Sequence, residues 1–415
     1  MATAVRAHRC AAAALAPLSA LAPARPRPGP GPRRGPRRAL HGNGDTLRHN
    51  LGGTFFVDED EYREHIRSAA RDGTLSFGFG AGGCLFPYYV GVTRSLQEGG
   101  LITGPTHLAG SSAGALLAAA AKSGLSMQET MDWCLLLLAD FRRNGTVARA
   151  GEAVKRSLEE GLPAGAEARC RGKVHVAVTK LFPVAHPVLV TDFASREDLI
   201  ACLLASAHIP FWLDGTWAAT FRGARCVDGG VFRPIPTVPG RPTVRVTPFP
   251  VGGGGRFLRV HICPDAYDPE WPWGIARMAA WALAPPGDDL ARRLIDAGYR
   301  DGERWMDDAD VREAGRERLK GEEMERENGR GDGGEERGGE EGGDGGEERG
   351  EERGGVGGGR KSPLRAPSIE GDRGETQRVE AADEGRAREL REKKEKAGLD
   401  VHVEVDEEGE GKGDR

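Results

Sequence analysis

The chain has 415 residues, a formal net charge of -5 and 62 glycines, and its composition shifts so sharply along its length that one folded domain between two tails is expected. Seven cysteines stand at positions 10, 84, 134, 170, 202, 226 and 263; the odd number and the lack of a Cys-x-x-Cys pair exclude a disulfide framework and a zinc site, leaving reduced, buried thiols. No run of eighteen apolar residues occurs, which excludes a membrane-crossing helix.

Residues 1–45 make the first segment. Arg, Ala and Pro dominate Met1 to His41, and the first acid is Asp45. A basic, acid-free start predicts an organelle transit peptide, with plastid ranked before mitochondrion and a secretory signal third. A basic arm without an address is the plainer alternative.

The folded domain is expected over 52–305. A strand at Leu75–Gly78 runs into Gly78-Phe79-Gly80-Ala81-Gly82-Gly83-Cys84, and a helix is expected over Phe86–Glu98. Such a glycine-rich turn bares main-chain N–H groups that can hold a phosphate or an oxyanion. Gly78, Gly80 and Gly83 also spell G-x-G-x-x-G, so a dinucleotide loop competes with an oxyanion loop. Next, a strand at Thr106–Ala109 meets Gly110-Ser111-Ser112-Ala113-Gly114 and a helix over Ala113–Lys122. This is Gly-x-Ser-x-Gly between strand and helix, the context in which a sharp turn exposes a nucleophilic serine. Ser112 has a glycine at both second neighbours, Gly110 and Gly114; Ser111 does not.

Further helices are expected over Met127–Phe141, Val147–Glu160 and Arg196–Ser206, the last opened by a Ser195 cap with Asp198. Strands are expected at Lys173–Thr179, Val188–Asp192, Arg225–Asp228 and Arg259–Ile262. The alternation predicts an α/β fold with a mainly parallel sheet and the site beyond the strands' C-terminal ends. Asp228 closes one strand and is followed by Gly229 and Gly230, which reads either as an ordinary turn or as an exposed base. His208 and His261 are the histidines placed to join a triad, although a structural role suits them better; Asp192 and Asp214 read as turn residues. The Trp271, Trp273 and Trp281 stretch reads equally as lipid contact or as packing. Residues 311–415, rich in Glu, Gly and Arg, lack the apolar content to fold and are expected to be disordered, apart from a transient helix within Ala381–Lys396.

Taken together, the glycine-rich turn, Gly-x-Ser-x-Gly and Asp-Gly-Gly resemble the patatin-like phospholipases, in the branch of adipose triglyceride lipase. Tyr88-Tyr89-Val90-Gly91-Val92, Asp198-Leu199-Ile200, Ala207 to Trp212, Val246 to Phe249, Ile262-Cys263-Pro264 and Gly298 to Gly302 match that branch, over about residues 74–305. The resemblance implies a three-layer α/β/α fold, Ser112 as nucleophile and Asp228 as base. Aligned on Tyr88, the family's glycine loop falls on Ala81 to Phe86, so Gly82, Gly83 and Cys84 are the favoured oxyanion donors. Two departures stand out: Ala81 and Phe86 replace family glycines, and Val231-Phe232-Arg233-Pro234 replaces polar residues.

The expected function is hydrolysis of fatty-acyl esters of glycerolipids through an acyl-enzyme, without metal or cofactor. Triacylglycerol is favoured; phospholipid or galactolipid hydrolysis and acyl transfer remain alternatives. A non-catalytic lipid-droplet or membrane scaffold and a nucleotide-binding protein are the rivals from other classes. The expected partner is a lipid surface rather than nucleic acid, because the Arg-Gly pairs of the tail are interleaved with Glu and lack aromatics. No protein regulator is legible.

Overall fold

Short apolar strands alternate with helices, and among the described residues nine strands form two sheets. The computed structural model describes residues 49–51, 54–56, 59–252, 260–268 and 270–331, with 388, 389, 392, 393 and 396. The expected targeting segment 1–45 and most of the expected tail 311–415 lie outside the described residues. The chain divides into two units, residues 1–319 with 387–415 and residues 320–386. The described part of the second, 320–331, is helical.

Strands β1 (His49–Leu51) and β2 (Thr54–Phe56) make a small antiparallel pair. The main sheet contains β3 (Ser76–Phe79), β4 (Leu108–Gly110), β5 (Val174–Lys180), β6 (His186–Val190), β7 (Ala219–Phe221), β8 (Ala224–Asp228) and β9 (Thr243–Val246). Its order is β7-β8-β5-β4-β3-β9, with β6 also paired to β5. Strands β3 and β4 are buried throughout and β5 nearly so, as strands covered on both faces must be. Helices surround the sheet, as the α/β reading requires.

The sheet is mixed rather than mainly parallel. The pairs β9–β3, β3–β4 and β4–β5 are parallel, whereas the pairs β5–β6, β5–β8 and β7–β8 are antiparallel. Residues 181–185 and 222–223 are too short for a crossover and can only turn the chain back. Arg222 and Gly223 both have positive φ, the demand of a tight two-residue hairpin.

One registration detail positions the site. Val176 pairs with Gly110 on one side and Val190 on the other, and Val178 pairs with Asp228 and Val188. Strands β4 and β8 therefore share one edge of β5 and approach end to end. Their C-terminal residues, Gly110 and Asp228, are two β5 residues apart, about 7 Å at the usual rise.

The helices are α1 (Glu59–Arg71), α2 (Phe86–Glu98), α3 (Ala113–Lys122), α4 (Met127–Asn144), α5 (Ala150–Gly161), α6 (Ala166–Cys170), α7 (Arg196–Ser206), α8 (Ile275–Leu283), α9 (Asp288–Asp308) and α10 (Arg312–Gly331). The Ser195 hydroxyl accepts the Asp198 N–H at 3.3 Å, as its spacing predicts. Helix α5 starts at Ala150, not Val147, because Ala148 sits at φ 58. The strand expected at Arg259–Ile262 reduces to one bridge between Ile262 and Val246 among the described residues, and the edge strand is β9. Helices α8 and α9 lacked a clear signal; the Gly298 and Gly302 that weaken the α9 pattern are its contact points with α2. A Cβ on Gly298 would lie 2.1 Å from the Tyr88 carbonyl oxygen, and the Tyr88 hydroxyl donates to Asp301 at 2.8 Å.

The disordered tail expected from 311 begins instead with packed helix. Val311 and Ala314 are buried, and Arg318 donates to the Thr103 hydroxyl at 2.8 Å. Few apolar residues are needed there, because Gly315 lets α10 approach the Gly99 main chain closely.

Candidate active site

The turn after β4 forces Ser112 to φ 53 and ψ -126, a conformation that a serine adopts only when its surroundings impose it. Those surroundings are tight. A Cβ on Gly110 would meet the Gly114 carbonyl oxygen at 2.3 Å, and one on Gly114 would meet that of Phe79 at 2.3 Å. The glycines of Gly-x-Ser-x-Gly thus let α3 fold back onto β4 and β3. Ser111 is turned away, its hydroxyl donating to the Pro234 carbonyl at 3.0 Å. Ser112 N–H donates to the Ser206 hydroxyl oxygen at 2.9 Å.

Asp228 ends β8, and the Ser112 hydroxyl lies close enough to its carboxylate to favour the charged form. Its Oδ1 accepts the Gly230 N–H at 2.7 Å. The main chain is fixed too: Asp228 N–H donates to the His208 carbonyl at 2.8 Å, and the Thr179 hydroxyl donates to the Asp228 carbonyl at 2.9 Å. Burial pushes the Asp228 carboxyl up to about 6, against the Ser112 hydroxyl and the Gly230 N–H, which favour the charged form. The raised value makes it a better proton acceptor than an exposed carboxylate. Gly229 and Gly230 are required by crowding: a Cβ would sit 2.0 Å from the Ala177 oxygen at the first and 2.9 Å from Asp228 Oδ1 at the second.

Ser206 and His208 belong to one short segment at the end of α7. Through its hydroxyl and its carbonyl, that segment holds the main chains of Ser112 and Asp228 together. Sequence reading missed Ser206, which no motif marks. It considered the His208 ring, whereas the carbonyl makes the contact. The ring points Nδ1 toward Asp214, 3.7 Å away, and burial lowers its pKa. His261 accepts the Arg245 N–H at 2.7 Å and stacks on Tyr62. Asp192 pairs with Arg171, and Asp214 caps Thr216.

The register of the glycine-rich turn is also clear. Gly78 lies inside β3, where a Cβ would fall 2.0 Å from the Pro236 oxygen, and Gly80 N–H is bonded to Val246. Neither opens onto a ligand. Gly83, at φ 52, starts a 3-10 turn over Gly83–Leu85 whose first bond runs from Leu85 N–H to the Gly82 carbonyl. The Gly83 and Cys84 N–H groups precede that bond, as unpaired donors do at helix starts. Gly83 and Cys84 line the same cavity as Ser112, whereas Gly82 does not. The Cys84 thiol is pushed up to about 12 by burial, so it stays protonated and only its main chain is available. Helix α8 sits on this turn: a Cβ on Gly83 would be 2.1 Å from the Ala282 oxygen. Trp271, Trp273 and Trp281 stack edge to face at 5.0 and 5.2 Å and pack half-buried against the core, which favours packing over lipid contact.

The centre of a water-sized sphere can occupy about 70 Å³ of the cavity, within about 640 Å³ of empty space that includes the open solvent at its mouth. Beyond Ser112 it is walled by Leu116, Trp133, Leu137, Leu138, Phe141 and Val154, an apolar lining fit for hydrocarbon. Among the described residues no helix is long and apolar enough to cross a membrane.

The family model of the patatin-like phospholipases matches residues 79–239, which span the glycine turn, Ser112 and Asp228. The chain is 30% identical over 259 residues to human 1-acylglycerol-3-phosphate O-acyltransferase PNPLA3, covering 59% of this chain and 52% of that protein. It is 29% identical over 252 residues to human patatin-like phospholipase domain-containing protein 2, covering 57% and 49%. It spans about half the length of these two relatives. The human domain-containing protein 4 is 30% identical over 249 residues, 56% of this chain and 96% of that relative. With a relative matched over nearly its whole length and the motif residues brought to one place, the chain belongs to the patatin-like phospholipase family.

Proposed function

We propose that the chain is a lipid acyl hydrolase that cleaves fatty-acyl esters of glycerolipids with a Ser112–Asp228 dyad. The observation that carries this reading is Ser112, held in a strained turn beside the buried Asp228 carboxyl and lining an apolar cavity. Asp228 takes the hydroxyl proton as Ser112 Oγ attacks the ester carbonyl. The Gly83 and Cys84 N–H groups meet the developing oxyanion, aided by the first turn of α3. Asp228 then returns the proton to the leaving alcohol. Water, deprotonated by the same carboxylate, attacks the acyl-enzyme, releases the fatty acid and regenerates Ser112. The acyl chain lies in the cavity throughout.

Triacylglycerol is the favoured substrate, on the branch that the motifs resemble. Acyl transfer is the second reading, favoured by the name of the relative PNPLA3: a glyceride hydroxyl would replace water in the last step. The acid-free N-terminal segment further supports import into a plastid or mitochondrion, and residues 1–45 fused to a fluorescent protein test it; cytosolic fluorescence would refute it.

The test of the activity is labelling with a fluorophosphonate ester, followed by mapping of the modified residue. Label on Ser112, absent from a folded Ser112→Ala protein and retained in Ser111→Ala, is expected. Label on another serine, or none, would overturn the reading. Product analysis with glyceride acceptors separates hydrolysis from transfer.

A further inference from the structure

Nine large apolar side chains stand exposed among the described residues, and six of them crowd onto three loops at the end of the sheet that carries Ser112 and Asp228. Phe182 and Val184, 63% and 73% exposed, follow the C-terminal end of β5. Phe211 and Trp217 lie on the loop after α7, and Val231 and Phe232 follow Asp228-Gly229-Gly230. The first two loops touch, the Phe182 and Trp217 rings packing edge to face at 6.4 Å, and the second is closed on itself by the Phe211 N–H to Thr216 carbonyl bond at 2.7 Å. Clustered exposure of this kind marks a surface that is covered in use.

We infer that these three loops are the surface by which the protein docks on a lipid layer carrying anionic phospholipid headgroups. Two observations choose this occupant. The loop after α7 has two sides: Ile209, Trp212 and Leu213 wall the cavity while Phe211, between them, is 53% exposed. Apolar surface therefore continues from the outside to the cavity, so a hydrocarbon chain can pass inward without crossing water. The charge of the face is also one-sided. Lys180, Arg225 and Arg233 lie on or beside the loops, with Arg225 over the Trp217 ring at 6.0 Å. Within 180–186 and 209–233 the only acids are Asp214, held by Thr216, and the buried Asp228. Aromatic and aliphatic side chains beside basic residues bind at the headgroup level of an anionic layer. The apolar continuity argument rests on the acyl-hydrolase reading above; the exposure and the charge do not.

The test is co-sedimentation of the full chain, as Ser112→Ala to leave lipid intact, with phosphatidylcholine vesicles with and without phosphatidylserine. Binding to the phosphatidylserine vesicles is expected, weaker in high salt. The Phe182→Ser/Val184→Ser pair, or Lys180→Glu/Arg225→Glu, is expected to weaken it by about tenfold or more. Neither pair touches the cavity, so turnover of a short soluble ester by the corresponding proteins with Ser112 intact is expected to stay unchanged. Val184→Asp alone, at the most exposed position, serves if a double variant melts early. Vesicle binding that these changes leave intact, equal binding without phosphatidylserine, or a dimer in solution that the same changes dissolve would overturn the proposal. Failure of ester turnover with vesicle binding still lost in the variants would sink the hydrolase reading and leave the docking face standing.

Discussion

Two buried aspartates invite comparison. Asp228 and Asp301 are 7% and 3% exposed, and burial pushes their carboxyls up to about 6 and about 7. Judged by titration alone, Asp301 is the more perturbed and the better candidate for a site. Its surroundings say otherwise. Asp301 accepts the Tyr88 hydroxyl at the α2–α9 contact, where Gly298 admits the Tyr88 main chain. Asp228 meets a serine held in a strained turn at the wall of an apolar cavity. A displaced pKa reports burial; what the carboxylate touches, and whether a substrate can reach it, separates a catalytic aspartate from a structural one.

The largest effect should come from Asp228→Asn. Loss of the base is expected to lower kcat by about 10²- to 10⁴-fold with little change in KM. Asp301→Asn should leave kcat near the wild-type value and act on stability instead. Burial pushes the Asp301 carboxyl up to about 7 from an ordinary 3.8, so the native state holds its proton more tightly than the unfolded chain. Its contribution to stability therefore falls as pH rises from about 4 to about 7. Asp301→Asn should flatten that part of the melting profile. A kcat collapse in the Asp301 variant would erase the contrast.

Tyr88→Phe sharpens the comparison from the partner's side. It leaves a buried carboxyl without its donor, and is expected to cost about 1–3 kcal/mol in chemical unfolding. Fluorophosphonate labelling should persist.

The smallest expected effect is that of Ser206→Ala. The Ser112 N–H loses its acceptor, and the elbow relaxes without losing a reacting group. A kcat drop of about tenfold is expected, comparable to one hydrogen bond. Ser206→Thr, which keeps the hydroxyl, should restore most of it if the methyl is accommodated. Unchanged kcat would show that the strained turn holds without this contact.

How far the sequence carries can be argued from these same residues. The turns that carry Ser112 and Asp228 were legible because they depend on local chemistry, and glycines two positions away or immediately after record the crowding. The register of the glycine-rich turn was not legible by spacing alone. Gly78 and Gly82 look alike in sequence, and only the Pro236 carbonyl lying against Gly78 separates a packing glycine from a turn glycine. Ser206 was invisible because its contact spans 94 positions and answers to no motif. The antiparallel half of the sheet was missed because strands were read by composition, whereas direction was decided by the short connections 181–185 and 222–223. Helix α10 was missed because it packs through Gly315, Val311 and Ala314, which hydropathy hardly registers.

The central claim is that Asp228 activates Ser112. Its most direct test is the rate of fluorophosphonate labelling as a function of pH in the wild-type protein and in Asp228→Asn. A base with a carboxyl near 6 must lose its proton to work, so the wild-type rate should rise through pH of about 6 and level off above it. The Asp228→Asn protein should label slowly, with no such rise. Equal rates in the two proteins, or the same rise in both, would show that another group activates Ser112 and would contradict the dyad.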